Sequence, residues 1–266
     1  MEVTEVTGFL CKKGDVTYTT DGSFIYAEKE GKTYRLDLFD RHYYKLRPVN
    51  GIPILEVDGL RMHLVRDFKT PLDYSEEVVK ALRIPASAPS AGSSRGFCVF
   101  DTCMGLGYTA IAAARLASVG KVLACEISDA VMTLARWNPF SDALWGSGKS
   151  KITIMQGNSA EIVKTIPDRS FDFIIHDPPR FTHSSELYSG PFYAELFRVC
   201  KPGARIFHYV GSLGARSGRH IEREVGRRLE KAGFAQIKYI PKLQGIIATR
   251  GADKPAGSGW SKNPEH

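Results

Sequence analysis

The sequence lacks any uninterrupted apolar run of the ~18–20 residues that a membrane-spanning helix needs, so no membrane association is expected. None of its 5 cysteines (Cys11, Cys98, Cys103, Cys125 and Cys200) sits in a Cys-x-x-Cys pair. Their number is odd and three lie in or beside strand-like apolar runs. That argues against a zinc site or disulfide framework and for buried, reduced thiols; no metal is expected. The segment Met1 to Thr7 has neither the basic stretch nor the apolar core of a secretory signal, and a cytoplasmic location is expected. Acidic residues are in short supply, with 29 Asp and Glu against 36 Lys and Arg and a net charge of +7. The excess suits a polyanionic partner. It concentrates in Lys201, Arg205, Arg216, Arg219, Arg223, Arg227, Arg228 and Lys231, opposed only by Glu222, Glu224 and Glu230. A solvated helix face accounts for part of that run, and phosphate contact is the alternative.

What is present is ordinary in bulk. The 266 residues, 43% hydrophobic and 24% charged, allow one large domain or one domain with a smaller appendage. Residues 1–68 read as a small antiparallel β domain. Its β-prone runs begin at Phe24, Thr33, Tyr43, Ile54 and Met62, and they are separated by Asp21-Gly22, Glu30-Gly31, Asn50-Gly51 and Asp58-Gly59. Residues 69–96 read as an amphipathic helix from Asp73 followed by a Pro-, Ser- and Ala-rich linker. From Phe97 to about 250, strands alternate with helices. The expected strands are 97–101, 121–126, 151–156, 171–176, 204–210, 235–240 and 244–249. The expected helices are 107–117, 129–137, 159–165, 187–200 and 218–232. This is an α/β rhythm, a Rossmann-like doubly wound seven-stranded sheet. Pro241-Lys242-Leu243 is too short for a parallel crossover, so the last strand should be antiparallel. Residues 251–266 lack apolar periodicity and read as a disordered tail.

Four strand ends carry the chemistry. Phe97-Cys-Val-Phe-Asp101 runs into Thr-Cys103-Met-Gly105-Leu-Gly107 and then a helix. Glycines there let the backbone pass close beneath a ligand, beyond the carboxyl ends of the strands. A plain strand-to-helix turn is the alternative. Lys121-Val-Leu-Ala-Cys-Glu126 ends in an acid placed to accept from both hydroxyls of a ribose, or else to cap a helix. Ile152-Thr-Ile-Met-Gln leads into Gly157-Asn158-Ser159, where the Asn158 amide can meet an adenine edge or act as an N-cap. The fourth strand ends in His176-Asp177-Pro178-Pro179-Arg180-Phe181. Two prolines fix φ and remove two donors, leaving a rigid turn whose carbonyls can accept from an amino group. Phe181 can stack on a planar base.

In these motifs, over residues 97–250, the sequence resembles the class I S-adenosylmethionine-dependent methyltransferases. Lys201-Pro202-Gly203-Ala204 is similar to that family's approach to its fifth strand. The wider run is similar to a group of predicted archaeal methyltransferases with an Asp-Pro-Pro-Arg-Phe motif. The resemblance implies S-adenosylmethionine as cofactor, held by Asp101, Cys103, Gly105, Gly107, Glu126, Ile127, Asn158 and Ser159. Two departures stand out: Cys103 replaces the usual first glycine, and Asn158 the usual adenine-contacting acid. Asp177, Pro178, Pro179 and Phe181 would form the reaction edge, with Asp177 and the Pro178 carbonyl orienting the acceptor. Arg180, His183, Tyr188 and Tyr209 are the expected substrate contacts.

An aromatic one place later than in the exocyclic-amine enzymes is similar to RNA methyltransferases acting on cytosine carbon or guanine ring nitrogen. No cysteine lies between Asp177 and Tyr193 to add to a cytosine ring, and Cys200 is predicted mid-helix, which favours a nitrogen acceptor. The expected activity is therefore methylation of a nucleobase nitrogen in tRNA or rRNA. Arg35, Arg41, His42, Tyr43, Tyr44, Lys45 and Arg47 interleave cations with aromatics as an RNA-binding surface would, or form an ordinary charged hairpin. His176 ends a buried strand, where a structural role is the simpler expectation, while His208 with Tyr209 ends the next strand, where it could line the acceptor pocket. The rival readings are a small-molecule methyltransferase and an aminopropyltransferase resembling spermidine synthase. The latter also joins a small β domain to this core, but needs paired carboxylates for a cationic polyamine. The sequence shows one Asp at the fourth strand end. A catalytically silent RNA-binding protein of the same fold is a further alternative, opposed by the intact Glu126 and Asp177-Pro-Pro.

Overall fold

The computed structural model describes residues 8–87, 96–146, 150–179, 184–211 and 221–252. The predicted linker falls largely outside them, as does the tail beyond residue 252.

The amino-terminal part forms two four-stranded antiparallel sheets. The first holds β1 (Gly8–Lys13), β2 (Val16–Thr20), β3 (Ile25–Lys29) and β4 (Lys32–Arg35); the second holds β5 (Asp37–Asp40), β6 (His42–Val49), β7 (Ile52–Val57) and β8 (Leu60–Arg61). Leu36 joins them, donating to Ile25 O at 2.8 Å and accepting from Leu46 N at 2.9 Å. Left-handed Glu30-Gly31, Asn50-Gly51 and Asp58-Gly59 pairs close three of the hairpins, as their sequence chemistry requires. Two expectations are corrected. The run from Met62 to Val65 is not a strand, and β1, β2 and β5 had not been foreseen. Lys and Thr in β1 and β2 and the flanking aspartates of β5 mask their alternation because much of each strand faces solvent, with Tyr18 alone buried among them.

Helix α1 (Pro71–Leu82) starts at a Thr70–Asp73 capping box with Pro71 in its first turn, and ends at Arg83, whose φ is 51°. Tyr74, Val78 and Leu82 share its buried face. The core then alternates β9 (Phe97–Asp101), α2 (Tyr108–Ala114), β10 (Val119–Glu126), α3 (Asp129–Trp137), β11 (Ile152–Gln156), α4 (Ser159–Ile162), β12 (Phe171–His176), α5 (Gly190–Val199), β13 (Cys200–Tyr209), α6 (Ile221–Ala232), β14 (Phe234–Ile240) and β15 (Gly245–Arg250). The sheet has seven strands in the order β11-β10-β9-β12-β13-β15-β14, and β15 is antiparallel to both its neighbours. This is the Rossmann-like, doubly wound α/β arrangement expected, with its last strand reversed.

One apolar layer packs α5 and α6 on one face of the sheet, and a second packs α1 and α2 on the other. A third joins Tyr18, Ile25 and Leu46 of the β-sheets to Leu106, Tyr108 and Leu134 of the core. Cys200, expected mid-helix, instead opens β13 and is fully buried. Pro202 disfavours the helical region for Lys201, so the chain turns extended there. Among the described residues, no helix is long and apolar enough to cross a membrane.

Gly245 shows how tightly β15 seats against β13. A Cβ there would lie 2.4 Å from the Phe207 ring and 3.1 Å from His208 O. Gly245→Ala should lower the unfolding free energy by about 1–3 kcal/mol in urea denaturation.

Candidate active site

Three carboxylates stand at the carboxyl ends of adjacent strands. Asp101 ends β9, Glu126 ends β10 and Asp177 follows β12. Strands β9 and β12 are parallel neighbours, with Asp101 opposite Ile175, so Asp101 and Asp177 lie across one ladder from each other. The charge of Asp101 raises the cost of ionising Asp177. Burial, then the charge of Asp101, pushes Asp177 up to about 7. Burial lifts Asp101 to about 6, against hydrogen bonds that favour its charged form.

Those bonds build the glycine loop. Thr109 Oγ1 donates to Asp101 Oδ2 at 2.6 Å, and the Cys103 amide donates to Oδ1 at 3.3 Å. Gly105 and Gly107 have φ of 55° and 80°. A Cβ on Gly105 would meet nothing within 4 Å, whereas one on Gly107 would strike Leu144 at 2.5 Å. The first glycine thus faces open space where a ligand can approach, and the second allows close packing. Glu126 accepts from Gly105 N at 3.0 Å through Oε2 and from Ser128 N at 2.9 Å through Oε1. Each oxygen keeps a second lone pair for a ribose hydroxyl. Ile127, beside it, is 64% exposed, an apolar surface where an adenine ring would be shielded. Tyr108 anchors the loop to the amino-terminal sheets: its hydroxyl donates to Pro53 O at 2.7 Å and accepts from Asn138 Nδ2 at 2.9 Å.

Asn158 is the N-cap of α4. It accepts from Ala160 N at 2.9 Å and donates to Glu186 Oε1 at 3.0 Å. This is the capping role left open by the sequence; Ser159 behind it is buried.

At the reaction edge Pro178 is buried and Pro179 exposed. The Pro179 carbonyl accepts from Tyr188 Oη at 3.1 Å and Ser184 Oγ at 3.0 Å, so the second proline braces the turn. Tyr188 is buried and Tyr209 half-buried; both are close enough to Asp177 or Tyr74 to disfavour a second negative charge there. Arg180, Phe181 and His183 lie outside the described residues.

The residue that sequence reasoning missed is Tyr74. From the first turns of α1 its hydroxyl donates to Asp177 Oδ2 at 3.3 Å, across 103 positions of chain. Its only sequence signal was a tyrosine on the apolar face of a capped helix. Thr102 and Thr109 were missed too, as small polar residues in a loop chosen for its glycines.

His176 and His208 are structural. Thr102 Oγ1 donates to His176 Nδ1 at 2.7 Å, and Nε2–H donates to Leu187 O at 3.0 Å. Tyr193 Oη donates to His208 Nε2 at 2.8 Å, while Nδ1–H donates to Tyr209 O at 2.7 Å. Burial drives His176 down to about 3 and His208 well below its usual range, so both are neutral. The basic residues flagged by sequence are widely engaged. Arg35 pairs with Asp37, Lys45 and Arg47 with Glu56, Lys201 with Asp172, and Arg228 with Glu224 and Tyr188 O.

Strand-end carboxylates around a glycine loop mark the candidate site of this Rossmann-like fold, and the comparisons agree at the level of fold. A spermidine synthase in complex with the transition-state analogue AdoDATO superposes with a TM-score of 0.63 at 17% identity, covering 84% of this chain and 77% of that one. The Thermotoga maritima spermidine synthase gives 0.60 at 18% identity, covering 84% and 75%. The chain belongs to the same family as the uncharacterized protein MJ1233 of Methanocaldococcus jannaschii, to which it is 36% identical over 248 residues, 91% of this chain and 81% of the relative. It is also 29% identical over 139 residues to polyamine aminopropyltransferase 2 of Streptomyces coelicolor, 51% of this chain but 25% of that protein. No family model matches.

Glu126→Ala should weaken methylthioadenosine binding at least tenfold by calorimetry; an unchanged Kd would remove Glu126 from the ribose role. For Asp177, burial raises the folded-state value from 3.8 to about 7. Ionisation therefore costs stability as pH climbs through that window. Asp177→Asn removes the cost and keeps an oxygen for Tyr74. Its melting temperature should exceed the wild type's by several degrees at pH 8 and match it at pH 4.

Proposed function

We propose that the chain is an aminopropyltransferase-type enzyme, moving an alkyl group from decarboxylated S-adenosylmethionine to an amine nitrogen. The observation that carries this reading is the half-buried Asp177, held by Tyr74 and coupled to Asp101. The paired carboxylates that a cationic acceptor needs are thus supplied by neighbouring strands. The sequence showed only one at the fourth strand end, and on that ground had disfavoured this chemistry.

The residues present fit such a donor. Glu126 would hold the ribose, Ile127 would shield the adenine, and Gly105 leaves the space the nucleoside needs. Asp101 suits a terminal ammonium and would repel a carboxylate, which favours the decarboxylated form over S-adenosylmethionine itself. The sulfonium supplies an activated carbon and a neutral thioether leaving group. The protein's part is alignment, exclusion of water and proton handling. Asp177 accepts the proton that the acceptor amine loses as its nitrogen is alkylated, and a value near 7 leaves it able to do so at neutral pH. Tyr74 aims the carboxylate and favours its charged form. The buried aromatic Tyr188 excludes water beside it.

One observation favours a second reading, methylation of an RNA nitrogen: the net charge of +7, with Arg223 and Arg227 on the outward face of α6. Comparing donors separates the two. Decarboxylated S-adenosylmethionine with a diamine should release methylthioadenosine, and S-adenosylmethionine with bulk tRNA and rRNA should transfer no label. The reverse pattern would establish the RNA reading. Tyr74→Phe tests the base. Loss of its hydrogen bond raises the Asp177 value, so the acid limb of the kcat/KM profile should move to higher pH by roughly half a unit. An unmoved limb would exclude Asp177 as the proton acceptor.

A further inference from the structure

A cavity lies away from the carboxylates, where the amino-terminal sheets meet the core. Its volume is about 150 Å³, the size at which an engineered protein cavity accommodates a benzene-sized molecule. Leu72 and Glu76, one turn apart on α1, form one wall, and Ile111, Ala112 and Arg115 on α2 form another. Lys13 and Asp142 stand at the rim, bonded to each other at 2.7 Å. Glu76 and Arg115 also line the cavity, yet no hydrogen bond or ion pair is formed by either side chain among the described residues. The cavity therefore offers one anion and one cation, both exposed at its mouth, beside the apolar side chains of Leu72, Ile111 and Ala112.

Both walls reach the active site by their own backbones. Helix α1 turns Leu72 and Glu76 to the cavity and Tyr74, on its other side, to Asp177. Helix α2 begins at Gly107, the second glycine of the loop, and its first residue Tyr108 lines the cavity too.

We propose that this cavity is an effector site for a small zwitterion of amino-acid size, its carboxylate on Arg115 and its ammonium on Glu76. An occupant bridging α1 and α2 holds both in the packing seen here, and so favours the loop geometry that receives the adenosyl nucleoside. By linkage the nucleoside strengthens the occupant's binding by the same factor. The cavity's occupant is read by thermal shift alone and stands apart from the transferase reading, whereas the coupling to nucleoside binding rests on that reading.

The probes are the twenty proteinogenic L-amino acids, each at millimolar concentration with the full chain, followed by thermal shift. At least one should raise the melting temperature by about 2 °C or more, and the amine lacking its carboxylate should not. Ala112→Leu, which fills the cavity without touching a charge, and Arg115→Ala should each abolish the shift while the unliganded protein melts as before. The bound amino acid should tighten methylthioadenosine binding at least fivefold in wild type and leave it unchanged in Ala112→Leu. Absence of any shift, or a shift that persists in Ala112→Leu, would overturn the site. Unaltered nucleoside affinity would overturn its role as an effector site.

Discussion

The structure is organised around carboxylates that the fold withdraws from water with no cation bonded to them among the described residues. Asp101 is fully buried and Asp177 half-buried, and their charges oppose each other across one strand ladder. Their partners are dipoles: the Thr109 hydroxyl and the Cys103 amide on one, the Tyr74 hydroxyl on the other. Dipoles lower the cost of a buried charge without cancelling it, so both carboxyls stay harder to ionise than in water. The two histidines behind the site do not relieve this. Their nitrogens are committed to Thr102, Leu187, Tyr193 and Tyr209, and burial keeps both rings uncharged. They act in effect as polar spacers between β12, β13 and the turn that carries Tyr188.

Much of this was legible in the residue order. The alternation from Phe97 onward, the acids ending β9 and β10, the glycines after Asp101 and the two prolines after Asp177 each have a local cause. Local causes survive without tertiary context. The short connection at Pro241 fixed the direction of β15 for the same reason. What stayed hidden depends on distance. Tyr74 meets Asp177 only because α1 packs across the sheet, and Asp101 pairs with Asp177 only because β12 inserts beside β9 rather than beyond β11. A single carboxylate at the fourth strand end is all that a linear reading can see. The basic residues misled in the opposite sense. Counted along the chain they form a run, but in space several are matched to Asp37, Glu56, Asp172 and Glu224.

Asn158 shows a residue whose two possible roles use the same atoms. Capping α4 engages its carbonyl oxygen and the Glu186 contact engages its amide. The polar strand end that a sequence reader assigns to a base edge is here also what starts the next helix. The same economy holds at Pro179, whose carbonyl steadies the turn through Tyr188 and Ser184.

The Tyr108 hydroxyl, lodged between Pro53 and Asn138, ties the first residue after the glycine loop to a hairpin of the amino-terminal sheets. Together with the apolar layer that runs from Ile25 and Leu46 into Leu106 and Leu134, it makes the β-sheets part of what holds the glycine loop rather than an accessory clipped onto it. A lineage could then not exchange this module for another without rebuilding that loop. Diversification would have to proceed by replacing side chains within the existing sheets.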